Sequence, residues 1–365
     1  LPENQQALFY LGLMHLFGLG TEVDQEKAKK IFEDPFLEEY AGAIRRLAVM
    51  YTNTRDPRRN ALFAKANGLP TYSPVIRPAL AMNSEGDAVI FYEKCGAKPE
   101  DTKLLYKVGK MQNGTFIWGE EKVFGSGCKP SVAIDSSGKV VLMYTKHDDD
   151  KKIIIREGCL KEGSIDWSDW KDEHFGVQAS VAIASTGDNS GAVKLFEVHK
   201  SERRDRLHFR IGNKKKDTYD WGDSSGLNGL DGINPSVGIF KKSDDFFVFV
   251  AYEDKETNKV HYFRGKINGS GVQWWSKTAT FNNAVNPSVF VNDNGQVLLV
   301  FRDPSKYDEL VYYTAESISV PISWSARCSY TIGYLPSAVL DSGGNLFGVC
   351  EREQMLCETR KNLVH

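Results

Sequence analysis

One short phrase recurs six times along this chain, and its spacing restricts the fold more than any other feature. Pro-Ser/Ala-hydrophobic stands as RPALAM at Pro78, KPSVAI at Pro130, NPSVGI at Pro235, NPSVFV at Pro287 and LPSAVL at Pro336; QASVAI at Ala179 repeats it without the proline. The starts at 78, 130, 179, 235, 287 and 336 lie 52, 49, 56, 52 and 49 residues apart. A period near fifty means one supersecondary unit that cannot bury its own apolar face and must stack on copies of itself.

Each copy has the same internal order. A tight polar turn (NSEGD, DSSGK, STGDNSG, KKSDD, NDNGQ, DSGGN) follows the phrase, then an apolar second strand such as AVIFYE or VVLMYT. A third strand follows (LLYKVG, KIIIREG, LHFRIG, VHYFRGK, LVYYTAE), and in five copies a fourth carries Trp118, Trp167, Trp221, Trp275 or Trp324. Short strands joined by turn chemistry at this period predict a mainly β chain, a six-bladed β-propeller of four-stranded antiparallel blades. The small apolar first strand suits the crowded axis. The sixth copy stops without its Trp strand, and an open edge invites aggregation. Residues 69–76, LPTYSPVI, are therefore expected to supply that strand and close the ring.

Residues 1–68 have a different period. Leu8, Leu11, Leu13, Met14, Leu16 and Phe17 form an apolar helical face over 4–18, and Gly18-Leu19-Gly20 ends it. Asp24 caps a second helix that ends near Asp34-Pro35; Ala41 to Tyr51 predicts a third, and Asp56-Pro57 opens a fourth that stops at Asn67-Gly68. ALFYLGLMHLFGLGTEVDQEKAKKIFED resembles the Sel-one-like branch of tetratricopeptide repeats, over residues 7–68 with a weaker second copy. The resemblance implies a short N-terminal α-helical hairpin repeat segment at 1–68, a protein-docking module through helices 4–67, ahead of a propeller at 69–365.

Composition mostly excludes. Net charge is −2, so nothing at whole-chain level draws the chain to nucleic acid or an anionic membrane, and no apolar run reaches the length of a membrane span. Cys95, Cys128, Cys159, Cys328, Cys350 and Cys357 lack zinc-site spacing, and the seven histidines are dispersed; no metal or cofactor is expected. Cys350 and Cys357 could face each other across a hairpin, and Asn113 and Asn268 head glycosylation sequons; these lean toward a secreted or other extracytoplasmic compartment. Scattered reduced thiols and plain Asn-Gly hairpin turns fit the same residues. The chain opens at Leu1 in helix-like sequence, which reads as a trimmed or processed start.

The second-to-third loops are long and charged, so the face they share is the candidate binding surface. There Glu93, Glu197, Glu253 and Glu351, with Thr145 and Arg302, end the second strands, and Lys107, Arg156, Arg210 and Arg264 recur on the third. Two readings stand: an acidic ring that binds or cleaves a sugar, or cross-strand ion pairs, Glu197 with Arg210 and Glu253 with Arg264. The Trp set is open in the same way, stacking on sugar rings or packing between blades. In VQWWSK, Trp274 and Trp275 point to opposite sides of a strand, so one of them should leave the packed side.

The copies resemble bacterial and fungal propeller lectins, which repeat PSVA…G…V.V…W at this period. VIRPALAMNSEGDAVIFYE also resembles the opening of the sialidase-like propellers, and that resemblance places Arg77 as a substrate-carboxylate arginine, with Arg302 and Arg352 as candidates for the others. The sialidase Asp-box is not met, and near-equivalent copies favour multivalent binding over one reaction centre. The expected function is a non-catalytic propeller that binds glycans or a glycosylated partner. The alternatives are a sialidase-type exo-glycosidase, whose two carboxylates would come from different loops, or a protein–protein scaffold.

Overall fold

In the computed structural model the described residues are 2–17, 22–38, 43, 44, 47, and 75–361 apart from 95–101, 113, 147–150, 185–192, 203–205, 216–217, 276–278, 307, 319–321, 342–343 and 353–354. The chain divides into two compact units, Leu1–Tyr72 and Ser73–His365.

In the first unit α1 (Pro2–Phe17) and α2 (Gln25–Phe32) form a hairpin, followed by a 3-10 turn at Pro35–Leu37. Asp24 caps α2 as expected, its carboxylate accepting the Lys27 N–H at 2.8 Å. Phe9, Leu13 and Leu16 of α1 bury with Ala28 and Phe32 of α2. Gly12 permits this close approach, since a Cβ there would lie 2.4 Å from the Phe32 ring. The third and fourth helices expected at 41–67 fall, except for positions 43, 44 and 47, outside the described residues. Among the described residues, one hairpin of two helices does not support a Sel-one-like repeat array or a docking role for it.

The second unit is a β-propeller. Sheet one holds β1 (Val75–Met82), β2 (Asp87–Lys94), β3 (Lys103–Gln112), β4 (Thr115–Trp118) and β5 (Lys122–Ser126). Sheet two holds β6 (Cys128–Ile134), β7 (Lys139–Thr145), β8 (Lys152–Lys161) and β9 (Ser164–Phe175). Sheet three holds β10 (Val177–Ala184), β11 (Lys194–Lys200), β12 (Arg206–Lys215), β13 (Thr218–Trp221) and β14 (Ser225–Asp231). Sheet four holds β15 (Ile233–Lys242), β16 (Asp245–Asp254), β17 (Lys259–Asn268), β18 (Gly271–Trp274) and β19 (Ala279–Asn282). Sheet five holds β20 (Val285–Val291), β21 (Val297–Asp303), β22 (Glu309–Ala315) and β23 (Cys328–Ile332), and sheet six β24 (Tyr334–Leu340), β25 (Leu346–Arg352) and β26 (Met355–Lys361).

Every sheet is an antiparallel meander in chain order. Where five strands appear, the outermost is a fourth strand in two pieces: β4 and β5 both pair with β3, β13 and β14 with β12, β18 and β19 with β17. Among the described residues five blades therefore have the full four-strand depth, and the last sheet has three. This corrects the expectation of six four-stranded blades. Val75 and Ile76 open β1, the innermost strand of blade 1, and 69–74 lie outside the described residues. Blade 1 and sheet six still meet, because Leu80, Met82, Ile90 and Tyr92 pack with Val339, Phe347 and Val349.

The repeated phrase explains itself at the axis. The serine of the phrase reaches sideways in several copies: Ser131 Oγ accepts the Val181 N–H at 3.1 Å, Ser180 that of Val237 at 3.2 Å, and Ser236 that of Val289 at 2.8 Å. Ser337 accepts from Leu80 at 2.9 Å and so latches sheet six to blade 1. Ser236→Ala leaves one such N–H without its acceptor and should cost about 1 kcal/mol, read as a lower urea midpoint at unchanged slope.

The tryptophans are architectural in the same sense. Trp118, Trp167, Trp221 and Trp274 each pair directly across from a glycine of the third strand: Gly109, Gly158, Gly212 and Gly265. A Cβ at Gly109 would lie 2.5 Å from the Trp118 ring, so the indole lies over bare backbone.

Candidate functional site

Each first strand carries an irregularity at the same place. Register shifts occur between Ile76 and Ala79, Cys128 and Ser131, Val177 and Ser180, Ile233 and Ser236, Val285 and Ser288, and Tyr334 and Ser337. The residue that opens each bulge is left-handed: φ is +50° at Arg77, +52° at Lys129, +54° at Gln178, +48° at Asn234, +52° at Asn286 and +46° at Leu335. For non-glycine residues this conformation costs roughly 1–2 kcal/mol each. A bulge also re-aims its side chain. The six bulges line one mouth of the central channel, a concavity of about 300 Å³ between these residues and the prolines or alanine that follow them. The far mouth, about 340 Å³, lies among the inner strands and the short turns at Asn83, Asp135, Asn292 and Asp341.

Charge is uneven around the near mouth. Arg77 Nη1 lies 3.0 Å from Glu93 Oε2, while Glu93 Oε1 accepts the Lys129 N–H at 2.6 Å. The Arg77 side chain keeps 42% of its surface exposed; that of Glu93 keeps 2%. Among the described residues no carboxylate pairs with the Lys129 ammonium, so two cations share one arc. Amides fill the next: Gln178 Nε2 donates to Asn234 Oδ1 at 2.9 Å, and Asn234 N–H donates to Gln178 Oε1 at 3.2 Å. Glu253 Oε2 accepts both the Asn234 side chain at 2.9 Å and the Asn286 N–H at 2.8 Å. Leu335 completes the ring.

The recurrent glutamates thus have a structural task. Glu93 and Glu253 each accept the N–H of the left-handed residue in the next blade, a donor the bulge takes out of the ladder. Register places Glu93, Glu253, Arg302 and Glu351 at one equivalent position, opposite Ile76, Ile233, Val285 and Tyr334. Glu197 is not among them. It pairs with Val181, three residues deeper, and Lys200 holds the strand end opposite Val177. The connection before β11 is longer in this copy, so the residue at the strand end lies three positions further along the chain.

The proposed ion pairs are replaced by others. Arg210 sits across from Glu197 but directs Nη1 to Asp172 Oδ2 at 3.2 Å and His174 Nδ1 at 3.0 Å. Arg264 pairs across from Phe249, donates to the Ile318 carbonyl at 3.0 Å and lies 4.6 Å over the Trp275 ring. Arg302 is held by Asp308 and stacks 5.0 Å over Tyr334, inside the seam with sheet six; Arg352 ends β25 opposite Met355. Trp274 and Trp275 do point to opposite sides, yet both pack: Trp274 against Phe196, Phe209 and Phe263, Trp275 against Phe247. Of the sequence candidates, Arg77 lines the mouth, and the buried carboxylates of Glu93 and Glu253 hold the rim residues from behind. Lys129, Gln178, Asn234 and Asn286 were missed there, although each stands immediately before the repeated Pro (Ala179 in blade 3).

A second polar cluster lies between blades 2 and 3. Glu197 is fully buried; His174 Nε2 lies 2.6 Å and His199 Nδ1 3.0 Å from its Oε1. Burial pushes this carboxyl up, but the two imidazoles outweigh it and bring the pKa down to about 2. His199 stacks on His208 at 5.8 Å. Histidines dispersed in sequence are gathered here by the fold.

No protein-family model matches the chain, and no curated protein matches it in sequence. Solved structures do match in fold. The Hadza microbial sialidase Hz136 aligns at TM-score 0.53 and 10% identity, over 79% of this chain and 66% of its own. The SapL1 lectin in complex with α-methyl fucoside aligns at 0.54 and 11%, over 80% and 94%. The α-L-arabinanase of Penicillium chrysogenum complexed with arabinobiose aligns at 0.52 and 11%, over 79% and 93%. This chain therefore has the propeller fold of proteins of both kinds, lectins and glycosidases.

Proposed function

We propose that this chain is a non-catalytic glycan-binding propeller whose ligand site is the bulged mouth of the central channel. The observation that carries this reading is the ring of Arg77, Lys129, Gln178, Asn234 and Asn286, polar side chains set on rigid strands around a concavity of about 300 Å³. Adjacent cations and amides suit a hydroxyl-rich ligand that bears an acidic group on the Arg77–Lys129 arc. Fold neighbours that include a fucoside-bound lectin, a sialidase and an arabinanase support a sugar as the ligand class. Glycoside hydrolysis needs an acid and a nucleophile free to act. Two of the three glutamates behind this rim, Glu93 and Glu253, are buried and engaged by backbone N–H groups and by Arg77 and Asn234. The ligand is taken as a free glycan or the glycan of a glycoprotein.

A glycan array of neutral and acidic oligosaccharides, run beside a fluorogenic sialoside assay, tests this. Binding without turnover is expected, and Arg77→Ala should weaken it roughly 10- to 100-fold, the worth of a charge-assisted hydrogen bond. Turnover abolished by the same substitution would establish the exo-glycosidase alternative instead. Silence in both assays would leave the propeller as a protein scaffold.

A further inference from the structure

We propose that His174, Glu197 and His199 form a site for one first-row divalent cation, zinc in the first instance, that staples blade 2 to blade 3. The argument begins with what the repeat expects at these positions. The residues equivalent to Glu197 are Ile90, Leu142, Val250, Leu299 and Gly348; those equivalent to His199 are Tyr92, Tyr144, Tyr252, Phe301 and Cys350. One blade alone replaces apolar seam residues with a carboxylate and an imidazole, and the preceding blade presents His174 from β9 to meet them.

The donor atoms converge. One ligand atom from each of the three residues lies within 4.8 Å of the others. Two of the buried polar atoms lack hydrogen bonds altogether: Glu197 Oε2, and His199 Nδ1, which is near Oε1 but out of line with it. Buried polar atoms without a partner are rare in native proteins. A cation supplies what both lack, an acceptor of their lone pairs. Two imidazoles with one carboxylate favour zinc over calcium or magnesium, which take all-oxygen shells. The His174 side chain, 15% exposed, leaves an approach from solvent.

Arg210 sets the condition for binding. A guanidinium only donates, so its contact with His174 Nδ1 makes that nitrogen an acceptor and puts the ring proton on Nε2, facing Glu197. Cation binding at Nε2 moves this proton to Nδ1, with no net release. Arg210 then withdraws to its other partners, Asp172 and the Gly222 carbonyl. Arg210 therefore competes with the metal.

The test uses the full chain after chelator treatment, titrated with Zn²⁺ against a chromophoric chelator, with Co²⁺ absorption as a second readout. One Zn²⁺ per chain is expected, with Tm raised by about 5 °C at a hundredfold excess over Kd. His174→Gln and Glu197→Gln should each lose about a hundredfold in affinity while circular dichroism stays native. Arg210→Met should bind Zn²⁺ more tightly than the parent, by about tenfold. His174, at the edge of the seam, keeps the test decisive if the Glu197 variant does not fold. Absence of stoichiometric uptake, or uptake unchanged in the His174 variant, would overturn the proposal and leave a hydrogen-bonded His–Glu–His seam.

Discussion

Glu253→Ala is expected to destabilise the propeller by about 3 kcal/mol, far more than the loss of a surface charge. Glu253 is buried, and one of its oxygens serves two donors from different blades, the Asn234 side chain and the Asn286 backbone. Truncation leaves both without an acceptor and removes what holds Asn286 left-handed. Glu253→Gln keeps a carbonyl oxygen in that place and should cost about 1 kcal/mol or less. Urea unfolding of the pair checks this; equal, small losses would show that the carboxylate does not secure the bulge.

Phe347→Ala should cost about 3–5 kcal/mol. Phe347 lies on the three-stranded last sheet, is buried, and meets Phe116 of blade 1 edge-on at 5.3 Å. Its environment exists only if the ring is closed between sheet six and blade 1. The substitution removes a large side chain where the seam lacks a fourth strand on one side. A single cooperative transition with a lowered midpoint is expected. A loss under about 1 kcal/mol would mean that blade 1 does not cover this residue in solution.

The period and strand order were legible because they are set by local chemistry that repeats: small residues at the axis, glycine in the turns, Trp on the fourth strand. The reason for the serine was not legible, since its partner stands some fifty residues away in the next blade. The place of Glu197 was misjudged because the connection before β11, 185–193, is longer than the 83–86 turn of blade 1, and one dropped register slides a residue into the core. The strand count of the last blade depended on residues 69–76, of which 75 and 76 belong to β1. The mouth residues were visible as the position before each Pro, but a set that reads Arg, Lys, Gln, Asn, Asn and Leu shows no pattern until the bulge makes it a ring. The Glu–His cluster between blades 2 and 3 depends on His174 and Glu197, 23 residues apart, and only the blade seam joins them.

Near-equivalent blades suggested several equivalent sites, whereas the geometry concentrates polar side chains on the axis, where a ring has one mouth of each kind. Calorimetric titration of the full chain with the strongest glycan from the array separates the two. Binding at the bulged mouth predicts one ligand per chain, with the heat lost in the Arg77→Ala, Lys129→Ala double variant. A stoichiometry near five that survives that variant would contradict an axial site and return binding to the seams between blades.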